Sequence, residues 1–201
     1  SEGSLELEVD GARLAEKPRA SEGLALYLNR GGFWQETKPA QSLRIFGTSL
    51  AVGDIDADAR PDAIFGTEAT GARLLIALGR GESWVLRELR SLPPAAAVSS
   101  VTLRDLDGDG RDEILVATRF VAENGYCSRL DLVHWSEERE TRIGLWSERS
   151  RDPVTTIVAA DFDRDGRDDI LAARQSGSLL PFAADADGYT RDATIPRPDW
   201  L

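Results

Sequence analysis

Short apolar segments recur on both sides of three acidic stretches of the chain. They are three or four residues long, rich in aliphatic and β-branched side chains, and bounded by turn-forming residues, a pattern typical of β-strands. The segments lie at 49–52 and 63–65, at 101–103 and 114–117, and at 156–159 and 170–173. The pattern therefore predicts a pair of strands around each acidic stretch.

A hairpin pattern, two apolar segments around a polar turn, follows each strand pair. The segments are 73–78 with 84–89, 130–135 with 142–146, and 178–183 with 189–193. This predicts four short strands per unit. Residues 24–28 and 33–36 show the same hairpin, and 5–9 is one more candidate strand. We therefore interpret residues 1–40 as a degenerate unit without an acidic stretch, and we expect no amphipathic helix longer than two turns.

The acidic stretches repeat at a nearly constant spacing. Asp54 and Asp105 are 51 residues apart, and Asp105 and Asp161 are 56 apart. Periods in this range indicate repeated supersecondary units, as in propellers or solenoids. We predict one domain over 1–201, divided into units 1–40, 41–92, 93–149 and 150–201. The sequence has no methionine, even at position 1, and we expect a processed chain or a fragment.

The negative charge is concentrated in the same stretches. The formal net charge is −11, and 14 of the 35 acidic residues lie in 54–62, 105–113 and 161–169, together with four arginines. Clustered carboxylates repel one another, so bringing them together costs free energy unless a cation neutralises them. Solvated turns without an ion are the alternative interpretation.

Each stretch reads Asp-x-Asp-x-Asp and ends on a carboxylate at its ninth position. Alternating side chains in a tight loop can converge on one point, and a set of oxygen ligands suits Ca²⁺. The seventh residue of each loop would add its backbone carbonyl. We predict up to three calcium sites, formed by Asp54, Asp56, Asp58, Arg60 and Asp62; by Asp105, Asp107, Asp109, Arg111 and Glu113; and by Asp161, Asp163, Asp165, Arg167 and Asp169.

An EF-hand is the competing interpretation of these loops. An EF-hand loop requires a glutamate at position 12, where this chain has Phe65, Val116 and Ala172. The flanking helices are also not predicted.

The sixth position is glycine in two loops and Ala59 in the first. A sharp turn there favours glycine, so we expect the first site to be the weakest.

The remaining composition narrows the classes of function. The acidic balance argues against nucleic-acid binding, and no stretch approaches the roughly 18 apolar residues of a membrane span. The single cysteine, Cys127, excludes an intramolecular disulfide, and the single histidine, His134, lies in a strand pattern where we interpret it as a packing residue. The tryptophans 34, 84, 135 and 146 are expected to pack between neighbouring units. No catalytic motif is present, and we predict no enzyme activity.

The segments "VGDIDADARPDAIFG", "LRDLDGDGRDEILVA" and "AADFDRDGRDDILAA" resemble FG-GAP/VCBS repeats, the units of integrin-α-type β-propellers. The hairpin "LALYLNRGGFWQ" is similar to the second hairpin of such a unit. The resemblance covers about 170 residues. It implies an all-β propeller of four-stranded blades, in which the acidic loop joins the first two strands and its calcium is structural. Because such propellers usually have seven blades, we expect a partial ring of about four blades, the first degenerate.

The resulting hypothesis is a non-enzymatic, calcium-stabilised module that mediates contact with a protein partner or a larger assembly of unknown identity. Calcium sites of modest affinity favour an extracellular, cell-surface or periplasmic location. The alternative is a carbohydrate-binding propeller, either lectin-like or accessory to a polysaccharide-active enzyme. A catalytic propeller is a third hypothesis, which would need a carboxylate pair outside the metal loops.

Overall fold

Every regular element that the computed structural model describes is a β-strand. The described residues are 26–30, 33–37, 47–67, 74–81, 83–89, 96–122, 125–186 and 188–191. The strands are β1 (Leu26–Arg30), β2 (Phe33–Thr37), β3 (Gly47–Gly53), β4 (Asp62–Thr67), β5 (Leu74–Arg80), β6 (Ser83–Leu89), β7 (Ala96–Arg104), β8 (Glu113–Ala122), β9 (Gly125–Trp135), β10 (Glu140–Arg149), β11 (Val154–Ala160), β12 (Asp169–Arg174), β13 (Leu179–Asp185) and β14 (Gly188–Arg191).

Twelve of these strands form three antiparallel sheets of four strands each. The sheets are β3-β4-β5-β6, β7-β8-β9-β10 and β11-β12-β13-β14, so each is a meander of consecutive strands. Strands β1 and β2 form a separate two-stranded hairpin. The all-β class and the four strands per unit are therefore confirmed for three units.

The second sheet packs against the first sheet with one face and against the third sheet with the other. Ile114 and Val116 on β8 join a core cluster with residues of the first sheet. Leu115 and Ala117 point to the opposite face and join a cluster with residues of the third sheet. Successive side chains of a strand alternate between faces, which explains why the middle strands carry continuous apolar runs. The three sheets are thus stacked in chain order.

The first strands of the three sheets lie beside one another. Thr48 Oγ1 donates to the carbonyl of Val98 at 2.7 Å, and the amide of Val101 donates to Ser49 Oγ at 2.9 Å, which ties β3 to β7. Thr102 Oγ1 donates to the carbonyl of Ile157 at 3.0 Å, which ties β7 to β11. Each acidic stretch directly follows one of these strands. The three stretches are therefore brought to neighbouring positions at one end of the stack.

The predicted ring of about four blades is not reproduced in the described residues. They contain three four-stranded sheets and one hairpin, and the sheets do not close on one another. The candidate strand at 5–9, and most of the predicted unit 1–40, lie outside the described residues. The boundaries of the four predicted units stay predictions.

The tryptophans of the described hairpins pack against the apolar clusters. Trp135 packs on the cluster between the first and second sheets, and Trp146 packs on the cluster between the second and third. Trp84 packs on a third cluster, on the other face of the first sheet. The predicted packing between units is therefore confirmed for Trp135 and Trp146, whereas the cluster that Trp84 contacts belongs to its own sheet. The side chain of Trp34 lies outside the described residues. Among the described residues, no helix is long and apolar enough to cross a membrane.

Candidate metal-binding loops

Each acidic stretch forms a loop between the first and second strands of its sheet. Strand pairing closes the base of each loop, at Gly53 with Asp62 in the first sheet, Arg104 with Glu113 in the second and Ala160 with Asp169 in the third. The first, second and third loops are therefore residues 54–61, 105–112 and 161–168. Their position between the first two strands of a sheet agrees with the pattern of the sequence.

The aspartate at position one folds each loop back on itself. Asp54 accepts hydrogen bonds from the amides of Asp58 and Ala59 at 3.1 and 2.8 Å. The other loops repeat the arrangement: Asp105 accepts from Gly108 and Gly110, and Asp161 accepts from Asp165 and Gly166. The loop amides thus turn inward to the carboxylate at position one. Position three lies close to it in every loop, together with position five in the first two loops and position nine in the third.

Positions four and six of every loop have a left-handed backbone. The φ angles are +77° and +86° at Gly108 and Gly110, +66° and +90° at Arg164 and Gly166, and +60° at both Ala57 and Ala59. Glycine adopts this conformation without penalty, whereas a residue with a Cβ is strained by roughly 1–2 kcal/mol. The first loop therefore has the same shape as the others at a higher conformational cost.

We expect Ala59→Gly to raise the free energy of unfolding by about 0.5–1 kcal/mol, because relief of the left-handed strain exceeds the added entropy of the unfolded chain. The matched reverse variant, Gly166→Ala, should lower it by about 1 kcal/mol. No other residue lies within 4 Å of a Cβ built on Gly166, so the backbone angle alone carries the effect. Urea denaturation in EDTA measures both, and two changes of the same sign would contradict the expectation.

Three carboxylate groups gather in each loop. One oxygen from each member lies within 4.8 Å of the other two in Asp54, Asp56 and Asp58, in Asp105, Asp107 and Asp109, and in Asp161, Asp163 and Asp169. These groups could hold a metal ion, and their ligand atoms are all oxygens. In the first loop, Asp56 Oδ1 is in addition buried and has no hydrogen-bond partner.

The remaining predicted ligands have other contacts. The amides of Arg60, Arg111 and Arg167 donate to the position-five carboxylates Asp58, Asp109 and Asp165 at 2.8–2.9 Å. These bonds fix the position-five side chains at the loop surface. The metal-binding roles of the seventh carbonyl and of Asp165 stay predictions.

The position-nine carboxylates lie at the buried base of the loops. Asp62 accepts from the amides of Ile55 and Gly79 at 2.9 and 2.8 Å, and it is fully buried. Asp169 accepts from the matching amides of Phe162 and Ala184 at 3.2 and 3.0 Å. Each therefore ties the loop to the third strand of its own sheet. Burial raises the pKa of Asp62, and the hydrogen bonds from Gly79 and Ile55 oppose this rise.

The second loop differs because its position-nine residue is the longer Glu113. The amide of Leu106 donates to Glu113 Oε2 at 2.8 Å, and His134 Nδ1 lies 3.4 Å from Oε1. Burial is the main cause that raises the pKa of Glu113. Asp107, Glu113 and His134 form a further group that could hold a metal ion. The sequence pattern indicated only a packing role for His134. The hairpin register that pairs Ile114 with Val133 places the next residue of β9, His134, beside Glu113 at the base of the loop. This register is the signal that assigns His134 to the loop.

Aspartates at position eight connect each of the last two loops to the preceding sheet. Asp112 Oδ2 accepts from the amide of Asp54 at 2.7 Å, and the Asp112 amide donates to the Asp54 carbonyl at 2.7 Å. A Cβ on Gly53 would lie 2.0 Å from Asp112 Oδ2, so this approach requires glycine. Asp168 accepts from Arg104 Nε in the same way, and this hydrogen bond raises the pKa of Arg104. Sequence reasoning assigned no role to these aspartates.

Tyr189, on β14, contacts the backbone of the third loop. Its hydroxyl donates to the carbonyl of Asp168 at 3.1 Å. Burial raises the pKa of Tyr189 to about 12, and the negative charge of Asp168 adds to the effect. Tyr189 also packs against the apolar cluster between the second and third sheets. It therefore joins the loop backbone to that cluster.

A comparison with models of known protein families finds no match to this chain. A search of curated proteins likewise finds no relative. The resemblance of the three segments to FG-GAP/VCBS repeats therefore stays a prediction from the sequence.

Proposed function

We propose that the chain is a calcium-stabilised β-propeller module, not an enzyme, that presents a rigid surface to a protein partner. The observation that carries the proposal is that the acidic stretch between the first two strands brings three carboxylates together in each of three successive sheets. A single acidic turn needs no ion. Three loops that each bring several carboxylates together are better explained by cation binding, because like charges repel one another.

The donor set favours calcium over other divalent ions. Each cluster is made of carboxylate oxygens alone. Ca²⁺ accepts six to eight oxygens in flexible geometry, whereas Mg²⁺ demands a strict octahedron. Asp105, Asp107 and Asp109 would hold the ion in the second loop, and Asp161, Asp163 and Asp169 in the third. When bound, the ion would supply positive charge that cancels repulsion among these side chains.

The propeller architecture is supported by the order of the sheets. Each sheet is a meander of four consecutive strands, and the first strands β3, β7 and β11 lie side by side. This arrangement is the one that blades of a propeller adopt around a central axis. Propeller folds bind partners through loops at one end, and the acidic loops would rigidify that end. Calcium sites of modest affinity favour a location outside the cytoplasm.

Calorimetric titration of metal-stripped protein tests the proposal. Titration with CaCl2 should give saturable binding heat, and titration with MgCl2 should show weaker binding. The matched control is the triple variant Asp56→Asn, Asp107→Asn and Asp163→Asn, which keeps the side-chain size and should lose most of the binding heat. Equal binding by the control, or no saturable heat with the wild-type protein, would overturn the proposal. Saturable binding on a glycan array would favour the carbohydrate-binding alternative for the partner.

A further inference from the structure

The first loop contains a cation supplied by the protein itself. Arg80, the last residue of β5, reaches into the loop and contacts two of its three clustered carboxylates. Its Nη2 lies 2.6 Å from Asp56 Oδ2, and its Nη1 lies 3.0 Å from Asp58 Oδ2. Hydrogen bonds from a guanidinium to two carboxylates are charge-assisted and geometrically specific.

The corresponding positions of the other two sheets carry no positive charge. Gly79, Trp135 and Ala184 occupy equivalent places, since each pairs with the next strand of its hairpin at the same register. The residue that follows is Arg80 in the first sheet, but it is Ser136 in the second and Asp185 in the third. The second and third loops thus receive a neutral and an acidic residue where the first loop receives arginine.

Other features of the first loop fit a separate role. It has alanine at both left-handed positions, Ala57 and Ala59, and Pro61 at position eight, where the other loops have Asp112 and Asp168. With four carboxylates in 54–62 and five in each of the other stretches, it has less repulsion to neutralise. One guanidinium between Asp56 and Asp58 removes much of it.

We infer that Arg80 is the built-in cation of the first loop, so that this loop closes without calcium while the second and third depend on it. The inference rests on the proposed function, because it divides the three predicted sites into one arginine-closed loop and two calcium loops. Asp56 Oδ2 and Asp58 Oδ2 are already paired with Arg80, so a calcium ion in this loop would be repelled by the guanidinium and would find less negative charge to neutralise.

The test is calcium stoichiometry, measured by native mass spectrometry, in the wild-type protein and in Arg80→Met, which keeps the length of the side chain and removes its charge. Arg80→Met should bind one calcium ion more than the wild-type chain. Adding Asp54→Asn to Arg80→Met should remove that ion again, which assigns it to the first loop. Arg87→Met is the matched control, because Arg87 lies 3.4 Å from Glu137, the same glutamate that Arg80 approaches at 3.9 Å.

Melting in EDTA gives a readout that does not depend on metal. Arg80→Met should melt about 3 °C or more below Arg87→Met, because it leaves the first loop without a cation. Equal stoichiometry in Arg80→Met and the wild-type chain, with calcium bound to both, overturns the inference and leaves the proposed function intact. If no variant binds calcium, the proposed function fails, and the calcium dependence of the second and third loops fails with it. The melting comparison then decides only the role of Arg80: equal melting overturns it, and lower melting of Arg80→Met supports it.

Discussion

Removal of divalent cations with excess EDTA should lower the melting temperature of the protein by about 10 °C or more. A site that is filled at 100 times its dissociation constant stabilises the folded state by about 2.7 kcal/mol. Two such sites would contribute about 5 kcal/mol, and 1 kcal/mol corresponds to roughly 2–4 °C for a chain of this size. Differential scanning calorimetry in calcium and in EDTA measures the difference.

The control for this experiment is magnesium at the same concentration. Magnesium demands a stricter octahedral arrangement of its ligands than calcium does, so it should restore only a small part of the loss at the clusters of Asp105 and Asp161. A melting curve that is identical in calcium, magnesium and EDTA would mean that the acidic loops are solvated turns. That is the alternative interpretation of their charge.

Substitution of a buried position-nine carboxylate should be the most destabilising change within the loops. Asp169→Ala leaves the amides of Phe162 and Ala184 without their acceptor at the base of the third loop. An unsatisfied amide costs about 1–3 kcal/mol when it is buried. Because these two hydrogen bonds are partly buried, we expect a loss of about 2 kcal/mol or more in the free energy of unfolding. Urea denaturation should show this loss in EDTA as well as in calcium, because these hydrogen bonds need no metal.

Asp163→Ala, in the same loop, is the matched control. Asp163 is exposed, and it belongs to the same carboxylate cluster as Asp169. In EDTA its removal should change the free energy of unfolding by no more than about 0.5 kcal/mol, whereas in calcium it should abolish most of the stabilisation by the ion. Equal losses of unfolding free energy for the two variants in EDTA would contradict the distinction between a buried, hydrogen-bonded carboxylate and an exposed ligand.

The loops serve two separable purposes in this account. Position one organises the loop backbone, as Asp105 does for Gly108 and Gly110, and position nine anchors it to the third strand, as Asp62 does through Gly79. These contacts form within one polypeptide. Under the proposed function, the carboxylates at positions three and five contribute negative charge that a cation would neutralise. Folding and metal binding would then be coupled through that charge.

The local pattern of the sequence predicted the strands and the loops because their signals lie within a few residues. The apolar segment 114–117 is buried in β8, and its alternate side chains serve two different sheet interfaces. Four-stranded units, the position of each acidic loop and the left-handed sixth residue of each loop follow from such local signals. The degenerate unit at 1–40 could be tested only at its hairpin.

Contacts between distant residues could not be predicted from the same signals. Asp112 meets Asp54 across 58 residues, and Asp168 meets Arg104 across 64. Arg80 reaches Asp56 across 24 residues. Each depends on the register of a hairpin or on the packing of two sheets, which the spacing of apolar residues does not specify. For the same reason, sequence reasoning treated the position-nine side chains only as ligands and did not predict their burial.

The most direct test of calcium binding by the acidic loops is the anomalous difference map of a crystal grown with CaCl2, recorded at a long wavelength. We expect one calcium peak between Asp105, Asp107 and Asp109 and another between Asp161, Asp163 and Asp169, each with oxygen ligands at about 2.3–2.6 Å. Maps that show only water at all three loops, under conditions where calcium is in large excess, would contradict it.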